Sequence, residues 1–302
     1  MKKWPFFLIA AAGMCLTVRP AKAQQGTTAQ PSAQPAGTTV SAVNRAPANA
    51  DFPGWLMTGK EKYTVANTHS HNDYEQATPF WMAWQEKFGS IEADIWLVEG
   101  RLLVAHNREE LKAGRTLEEY YVKPLLSCIG KNNGHPYSDS NRCLQILIDV
   151  KADSVNTLNA LISLLDRYPA LERTSSVKWV ISGNRPAPSL YASYPPFIAF
   201  DGILGRQYTP EAMSRIVMMS DNLRAYTRWN GLTELPAADK KVIEEAITRA
   251  HQQHLPVRFW EAPDTPVAWE QLMSLHADYI NTDHIHELAT FLNAHAEHAV
   301  AK

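Results

Sequence analysis

HSHNDY at residues 69–74 and IEADIWLVEGRLLVAH at residues 91–106 are the stretches around which this chain is organised. Apolar and acidic residues alternate at the start of the second stretch, which is typical of a strand with one face against a core. The alternation places Glu92 and Asp94 on the same face. Two carboxylates that point the same way are unfavourable unless a cation lies between them, and a divalent metal ion is the usual solution.

Histidines lie on either side of this acidic pair, His71 in the first stretch and His106 at the end of the second. Imidazole titrates near neutral pH, so both are candidates for acid–base catalysis. A lone histidine is more often a buried, hydrogen-bonded group, but two of them beside a carboxylate pair favour catalysis. His69 either replaces His71 in that role or supports it, and Asn72 is a candidate substrate contact.

A third carboxylate ends LQILIDV at residues 144–150, an almost continuous apolar run that predicts a strand buried on both faces. A lone charge there would be unfavourable, so Asp149 is expected to be paired or to bind a metal. Three hard oxygen ligands without a thiolate favour Mg²⁺ or Ca²⁺ over zinc. Lys151 either pairs with Asp149 or binds an anionic substrate, and the sequence favours neither.

The N-terminal residues have the pattern of a signal peptide. Lys2 and Lys3 precede an apolar run at residues 4–18, and Ala21-Lys22-Ala23 offers a cleavage site. An uncleaved anchor is the alternative. The following residues are rich in Gln, Thr, Ala and Pro and have too few large apolar groups to fold. The predicted organisation is a signal peptide at 1–23, a disordered linker at 24–50 and one domain at 51–302.

Export to the periplasm or the cell exterior follows from this prediction, with no transmembrane segment left after cleavage near Ala23. The formal net charge of −2 gives no electrostatic argument for nucleic-acid binding. Outside the signal peptide the cysteines are Cys128 and Cys143, which flank a polar loop. In an exported protein such a pair predicts a disulfide, and a metal site that includes His135 is the alternative.

Short apolar strands and helical segments alternate about eight times after residue 51, which predicts a (β/α)8 TIM barrel in one domain. A doubly wound open sheet is the alternative. The seventh repeat is predicted as a helix at 210–219 and a strand at 223–229. Trp260 is either core or an aromatic wall beside the substrate, with the wall slightly favoured. Polar side chains close the predicted strands, where barrel enzymes hold their active sites: His69, His71, Glu92, Asp94, Asp149, Lys151, Ser182, Arg185, Asp201, Trp229, Trp260, Glu261 and Asp283.

HSHNDY, EADIWL, LLVAH and LIDVK together resemble the PI-PLC-like phosphodiesterase superfamily over about residues 63–290. The superfamily groups bacterial phosphatidylinositol phospholipases C, glycerophosphodiester phosphodiesterases and sphingomyelinase D-type enzymes, and this chain resembles most its branch with an HxHNDY signature. The resemblance implies a TIM barrel with Mg²⁺ or Ca²⁺ on acidic side chains. It also implies roles for particular residues: metal ligands at Glu92, Asp94 and Asp149, a catalytic pair at His71 and His106, Lys151 near the phosphate and Trp260 by the substrate.

The predicted function is that of an exported, metal-dependent phosphodiesterase of lipid metabolism, acting on a glycerophosphodiester or a phospholipid-like substrate. His71 is favoured as the histidine that activates the nucleophile and His106 as the one that protonates the leaving alkoxide, with the reverse assignment as the alternative. The nucleophile is either water or a neighbouring hydroxyl of the substrate. Two alternatives remain at this point. One is an amidohydrolase-like enzyme with His69 and His71 as metal ligands, and the other is a non-catalytic exported binding protein.

Overall fold

The computed structural model of the protein describes Met57, the backbone of residues 62–300 and the side chains of residues 62–295. The predicted signal peptide and linker lie outside the described residues. The strands are β1 (Thr68–Ser70), β2 (Ser90–Val98), β3 (Arg101–Val104), β4 (Leu144–Val150), β5 (Val177–Gly183), β6 (Ile198–Ile203), β7 (Ile216–Asn222), β8 (Val257–Trp260) and β9 (Ile280–Thr282). The α-helices are α1 (Trp81–Gln85), α2 (Lys123–Lys131), α3 (Ser154–Leu165), α4 (Pro169–Arg173), α5 (Pro210–Met213), α6 (Ala237–His251), α7 (Pro266–Ser274) and α8 (Ile285–Val300). None of the described helices has the length and apolar character needed to cross a membrane.

The described strands, apart from β3, form a parallel sheet in the order β8, β7, β6, β5, β4, β2, β1 and β9. A bridge between Arg258 on β8 and Tyr279, which precedes β9, joins the two ends of the sheet. β3 pairs antiparallel with the last four residues of β2, Ile95–Val98. Helices alternate with most of the strands, as a parallel sheet requires. The predicted (β/α)8 barrel is therefore confirmed.

Successive side chains of β2 and β4 point to opposite faces of the sheet, one towards the helices and the other towards the barrel interior. Ile91, Ala93 and Ile95 are buried in the large apolar cluster between sheet and helices. The intervening residues face the barrel interior, where Glu92 lies beside Leu147 in the strand register. A smaller apolar cluster fills the interior below the site: Leu147, Val180, Ala199, Val217, Met218 and Tyr279. This packed layer is the floor on which the polar residues of the barrel mouth rest.

The prediction for the seventh repeat was wrong in position. The helix predicted at 210–219 ends at Met213, and the strand predicted at 223–229 lies at Ile216–Asn222. The run IVMM is buried and pairs with β6 through Ile216, Met218 and Met219, and β7 pairs with β8 from Met219 onward. Leu223–Ala225 instead forms a single 3₁₀ turn. A short apolar run in which two residues are β-branched and two are methionines is compatible with either a helix or a strand. Pairing with the neighbouring strands decides in favour of the strand.

The predicted disulfide between Cys128 and Cys143 is absent, because both thiols are free. Cys128 lies on the buried face of α2, among the core residues under that helix rather than on the loop side. Burial raises the pKa of its thiol to about 11. A buried cysteine of this kind packs as a small apolar side chain.

Candidate active site

Three carboxylates meet where the parallel pairing of β2 with β4 approaches its carboxyl end. Asp94 and Asp149 are register partners on these neighbouring strands, and Glu92 lies one layer below Asp94. Oxygen atoms of the three side chains lie within 4.8 Å of one another. Like charges this close are unfavourable in a buried position, and the pKa values respond. Burial, with the charges of Glu92 and Asp149, raises the pKa of Asp94 to about 8.

The hydrogen-bond pattern of this cluster fits a divalent cation. Asp94 Oδ2 receives three donor groups, whereas its buried Oδ1 has no hydrogen-bond partner in the described part of the chain. On Glu92 it is Oε2 that is occupied, by His69 and Arg258. A buried oxygen without a donor is unfavourable unless something else binds it. The residues present therefore suit Mg²⁺ or Ca²⁺, which prefer carboxylate oxygens.

Lys151 lies at the edge of the acidic cluster. Its Nζ is 2.9 Å from Asp94 Oδ2 and 3.3 Å from Asp149 Oδ1. Burial lowers the pKa of Lys151, but the two carboxylates outweigh that effect and the pKa is raised. The lysine therefore stays charged, and it both pairs with Asp149 and lines the pocket described below. Lys151 can therefore pair with Asp149 and also face an anionic substrate in the pocket, so the two roles that the sequence left open are compatible.

His71 and His106 both reach the pocket, and each is held by a carboxylate. His71 Nδ1 lies 2.8 Å from Asp283 Oδ1, and His106 Nδ1 lies 3.0 Å from Asp94 Oδ2. Burial lowers the pKa of His71, but the hydrogen bond to Asp283 and the charge of Glu92 outweigh burial and raise it. Because each Nδ1 donates to a carboxylate, each Nε2 is left for a ligand.

His69 occupies a different environment from His71. It is fully buried, and its two ring nitrogens lie 2.7 Å from Ser90 Oγ and 2.6 Å from Glu92 Oε2. Burial and the charge of Arg258 lower its pKa to about 4. The acidic cluster includes neither His69 nor His71, so the pair of histidine ligands that an amidohydrolase-like site needs is not formed in the described residues.

The rest of the HSHNDY stretch builds the loop that carries His71. Asp73 is buried and accepts hydrogen bonds from the Phe80 backbone N–H at 2.6 Å and from the Tyr121 hydroxyl at 3.0 Å. Asn72 has left-handed backbone geometry, with φ at 45°. Its side chain lines the pocket and lies 2.8 Å from the Tyr74 hydroxyl, which also reaches Asp94. The loop is thereby tied to the acidic cluster.

The pocket above these groups has a volume of about 820 Å³. Trp260 forms part of its wall and is 37% exposed, as the wall interpretation of this residue predicts. Other lining residues, most of them polar, were not predicted from the sequence: Trp96, Asn184, Ser220, Asp221, Arg258, Asp264 and Asn281. Arg258 had a visible signal, because a charged residue interrupts the apolar strand VRFW. Its guanidinium is almost fully buried and lies 2.9 Å from Glu92 Oε2.

Gly183 holds Asp149 in place by its lack of a side chain. Its φ is +65°, and a Cβ at this position would lie 2.1 Å from Asp149 Oδ1. We expect Gly183→Ala to displace that carboxylate and weaken Mn²⁺ binding about 10–100-fold, the range seen when support of a metal ligand is lost. Isothermal titration with Mn²⁺ measures the change. Gly100→Ala is the matched control, since φ is +74° there with no atom within 4 Å, and unchanged binding by Gly183→Ala would contradict the prediction.

Two segments of the chain match phosphodiesterase families. Residues 60–173 match the AIM6-like phosphodiesterase domain, and residues 256–285 match the glycerophosphoryl diester phosphodiesterase family. The first segment contains the three carboxylates of the cluster. The second contains pocket-lining residues between Arg258 and Asp283. These matches confirm the resemblance to the PI-PLC-like phosphodiesterase superfamily.

Two relatives and one solved structure are similar to most of this chain. Altered inheritance of mitochondria protein 6 from Eremothecium gossypii is 28% identical over 271 residues, which cover 75% of this chain and 69% of that protein. The protein of the same name from Kluyveromyces lactis is 24% identical, with 75% and 72% covered. A glycerophosphodiester phosphodiesterase from Parabacteroides distasonis has a TM-score of 0.52 at 13% identity, with 76% of this chain and 98% of that chain covered. The last comparison shows a shared fold.

Proposed function

We propose that this protein is a metal-dependent phosphoric diester hydrolase. One observation carries the proposal: two histidines, each held through Nδ1 by a carboxylate, flank a cluster of three carboxylates at the mouth of the barrel. A cation on Glu92, Asp94 and Asp149 would neutralise the phosphate and the charge that develops on it. The matches to two phosphodiesterase domains support the same reaction.

In the proposed mechanism His71 is the base and His106 the acid. The hydrogen bond to Asp283 leaves His71 Nε2 unprotonated in the neutral imidazole, so this nitrogen can take the proton of the attacking hydroxyl. His106, half exposed at the pocket edge, delivers a proton to the leaving alkoxide. Lys151 contributes positive charge beside the phosphate. Asn72 and Trp260 line the space that remains for the substrate.

The proposed substrates are glycerophosphodiesters or lysophospholipid-like diesters. Phosphorus NMR of the protein with Mg²⁺ or Ca²⁺ tests this on glycerophosphodiesters, lysophospholipids and phosphatidylinositol. We expect a new monoester or cyclic-phosphate peak, and the kind of peak distinguishes attack by water from attack by a substrate hydroxyl. No turnover of any of the three classes by a protein that binds metal would overturn this choice of substrates.

We also propose that the protein is exported. The support is the N-terminal pattern of two lysines, an apolar run and Ala21-Lys22-Ala23. Amino-terminal sequencing of the protein recovered from cells tests it, and a chain that still begins at Met1 would contradict cleavage near Ala23.

A further inference from the structure

A chain of buried polar side chains lies directly below the acidic cluster. Gln145 Nε2 donates to Ser90 Oγ at 2.9 Å, and Ser90 Oγ lies 2.7 Å from His69 Nδ1. On the other side of the ring, His69 Nε2 lies 2.6 Å from Glu92 Oε2. Ser90, His69 and Glu92 are each at most 3% exposed, so water does not compete for these contacts. Strand register explains the alignment, because Ser90 pairs with both His69 and Gln145.

The donors and acceptors in this chain determine where the proton of His69 lies. Glu92 Oε2 can only accept, so His69 Nε2 carries a hydrogen. Ser90 already accepts from Gln145, and its own hydroxyl hydrogen needs an acceptor, which Nδ1 provides. A hydrogen on Nδ1 would leave the Ser90 hydroxyl without an acceptor in a dry interior. His69 is therefore neutral, with its hydrogen on Nε2 and directed at Glu92.

Arg258 is a second donor to the same carboxylate oxygen. Its Nη1 lies 2.9 Å from Glu92 Oε2 and 3.2 Å from Asn281 Oδ1. Nη1 also lies 2.5 Å from His69 Nε2. In the tautomer assigned above both nitrogens are donors to Glu92 Oε2, so this contact is not a hydrogen bond between them. Glu92 Oε2 thus accepts hydrogen bonds from both His69 and Arg258. Glu92 Oε1 receives no hydrogen bond from the described residues and remains for a ligand.

We infer that His69 is a positioning residue for the metal ligand Glu92, and that Ser90 and Gln145 keep its ring in the orientation this task needs. The inference rests on the proposed function, which makes Glu92 a ligand. In this role His69 exchanges no proton with substrate, in contrast to His71, although the two histidines are separated by a single residue. Outer partners of this kind change metal affinity about 10–100-fold when they are removed.

Two substitutions at His69 separate positioning from acid–base catalysis. His69→Gln keeps an N–H donor near the position of Nε2 but cannot titrate, whereas His69→Leu removes the donor. We expect Mn²⁺ affinity, measured by calorimetry, to stay within about 3-fold in His69→Gln and to fall about 10–100-fold in His69→Leu. His69→Gln should also keep both limbs of the pH profile of kcat/KM. Ser90→Ala, which frees the ring, is expected to fall between the two.

The controls distinguish failure of this inference from failure of the proposed function. His251→Gln replaces a partly buried histidine paired with Asp278, away from the site, and should leave Mn²⁺ binding unchanged. If the unsubstituted protein binds no Mn²⁺, the proposed function fails. If it binds Mn²⁺ and folded His69→Leu binds equally well, the positioning role is refuted. Loss of a pH limb in His69→Gln would also refute it. If His69→Leu does not fold, the Mn²⁺ affinities of Ser90→Ala and His69→Gln are compared. Weaker binding by Ser90→Ala supports the positioning role, and equal binding by the two variants refutes it.

Discussion

Asp94→Asn is expected to remove metal binding and to reduce phosphodiester turnover by about 10³-fold, the loss typical when a charge stabiliser of the transition state is removed. Asp94 is the centre of the site, because its Oδ2 contacts His106 and Lys151 while its Oδ1 is left without a hydrogen-bond donor among the described residues. An amide offers a neutral and weaker ligand to Mg²⁺ or Ca²⁺. Mn²⁺ titration and phosphorus NMR measure the two losses.

The same substitution is expected to stabilise the metal-free protein. The pKa of Asp94 is 3.8 in the absence of its neighbours and about 8 in the fold. The folded state therefore holds a proton that the unfolded state releases, and the associated stability is complete below pH 3.8 and is lost as the pH rises towards 8. We expect metal-free Asp94→Asn to melt about 2–4 °C higher than the unsubstituted protein at pH 8. The difference should shrink at pH 5.

Asp153→Asn is the matched control for Asp94→Asn. Asp153 caps the N-terminus of α3 through the Asn156 backbone N–H, and asparagine caps about as well as aspartate. This variant should keep metal binding, turnover and melting temperature. Full turnover by Asp94→Asn would exclude the carboxylate cluster as the metal site. A lower melting temperature of metal-free Asp94→Asn at pH 8 would contradict the electrostatic account of the cluster.

His71→Ala and His106→Ala are each expected to reduce kcat by about 10²–10⁴-fold, the usual contribution of general acid–base catalysis. Neither histidine belongs to the carboxylate cluster, so His71→Ala should still bind Mn²⁺ within a few-fold of the unsubstituted protein. His106→Ala removes a donor to Asp94 Oδ2, so its Mn²⁺ affinity should also fall, by about 10–100-fold. Each should also remove one limb of the pH profile of kcat. Turnover as a function of pH, with Mn²⁺ titration of the same samples, separates lost chemistry from lost metal.

His286→Ala is the control for these two variants, because His286 is 77% exposed and contacts Glu86 outside the pocket. It should retain full activity and both limbs of the profile. An unchanged rate in His71→Ala or in His106→Ala would remove that residue from the mechanism. Loss of Mn²⁺ binding in His71→Ala would instead make it a ligand, which would favour the amidohydrolase-like arrangement.

Several parts of the site were predictable because they depend on local chain geometry. A strand turns successive side chains to opposite faces, so Glu92 and Asp94 had to share one, whatever their surroundings. Asp149 at the end of an apolar strand had few stable environments other than a charged cluster. The barrel itself followed from the alternation of strands and helices. The seventh strand was misplaced because an apolar run such as IVMM suits either element until it finds pairing partners.

The barrel and the clustering of the carboxylates could thus be predicted before the structure was known, since both follow from periodicity and burial over a few residues. Only the tertiary structure separated His69 from His71. β1 ends at Ser70, so His69 points into the barrel against Ser90 and Glu92, while His71 leaves the strand and meets Asp283. Arg258 was likewise assigned by its contact with Glu92. These partners are far apart along the chain, and only closure of the barrel brings them within hydrogen-bonding distance.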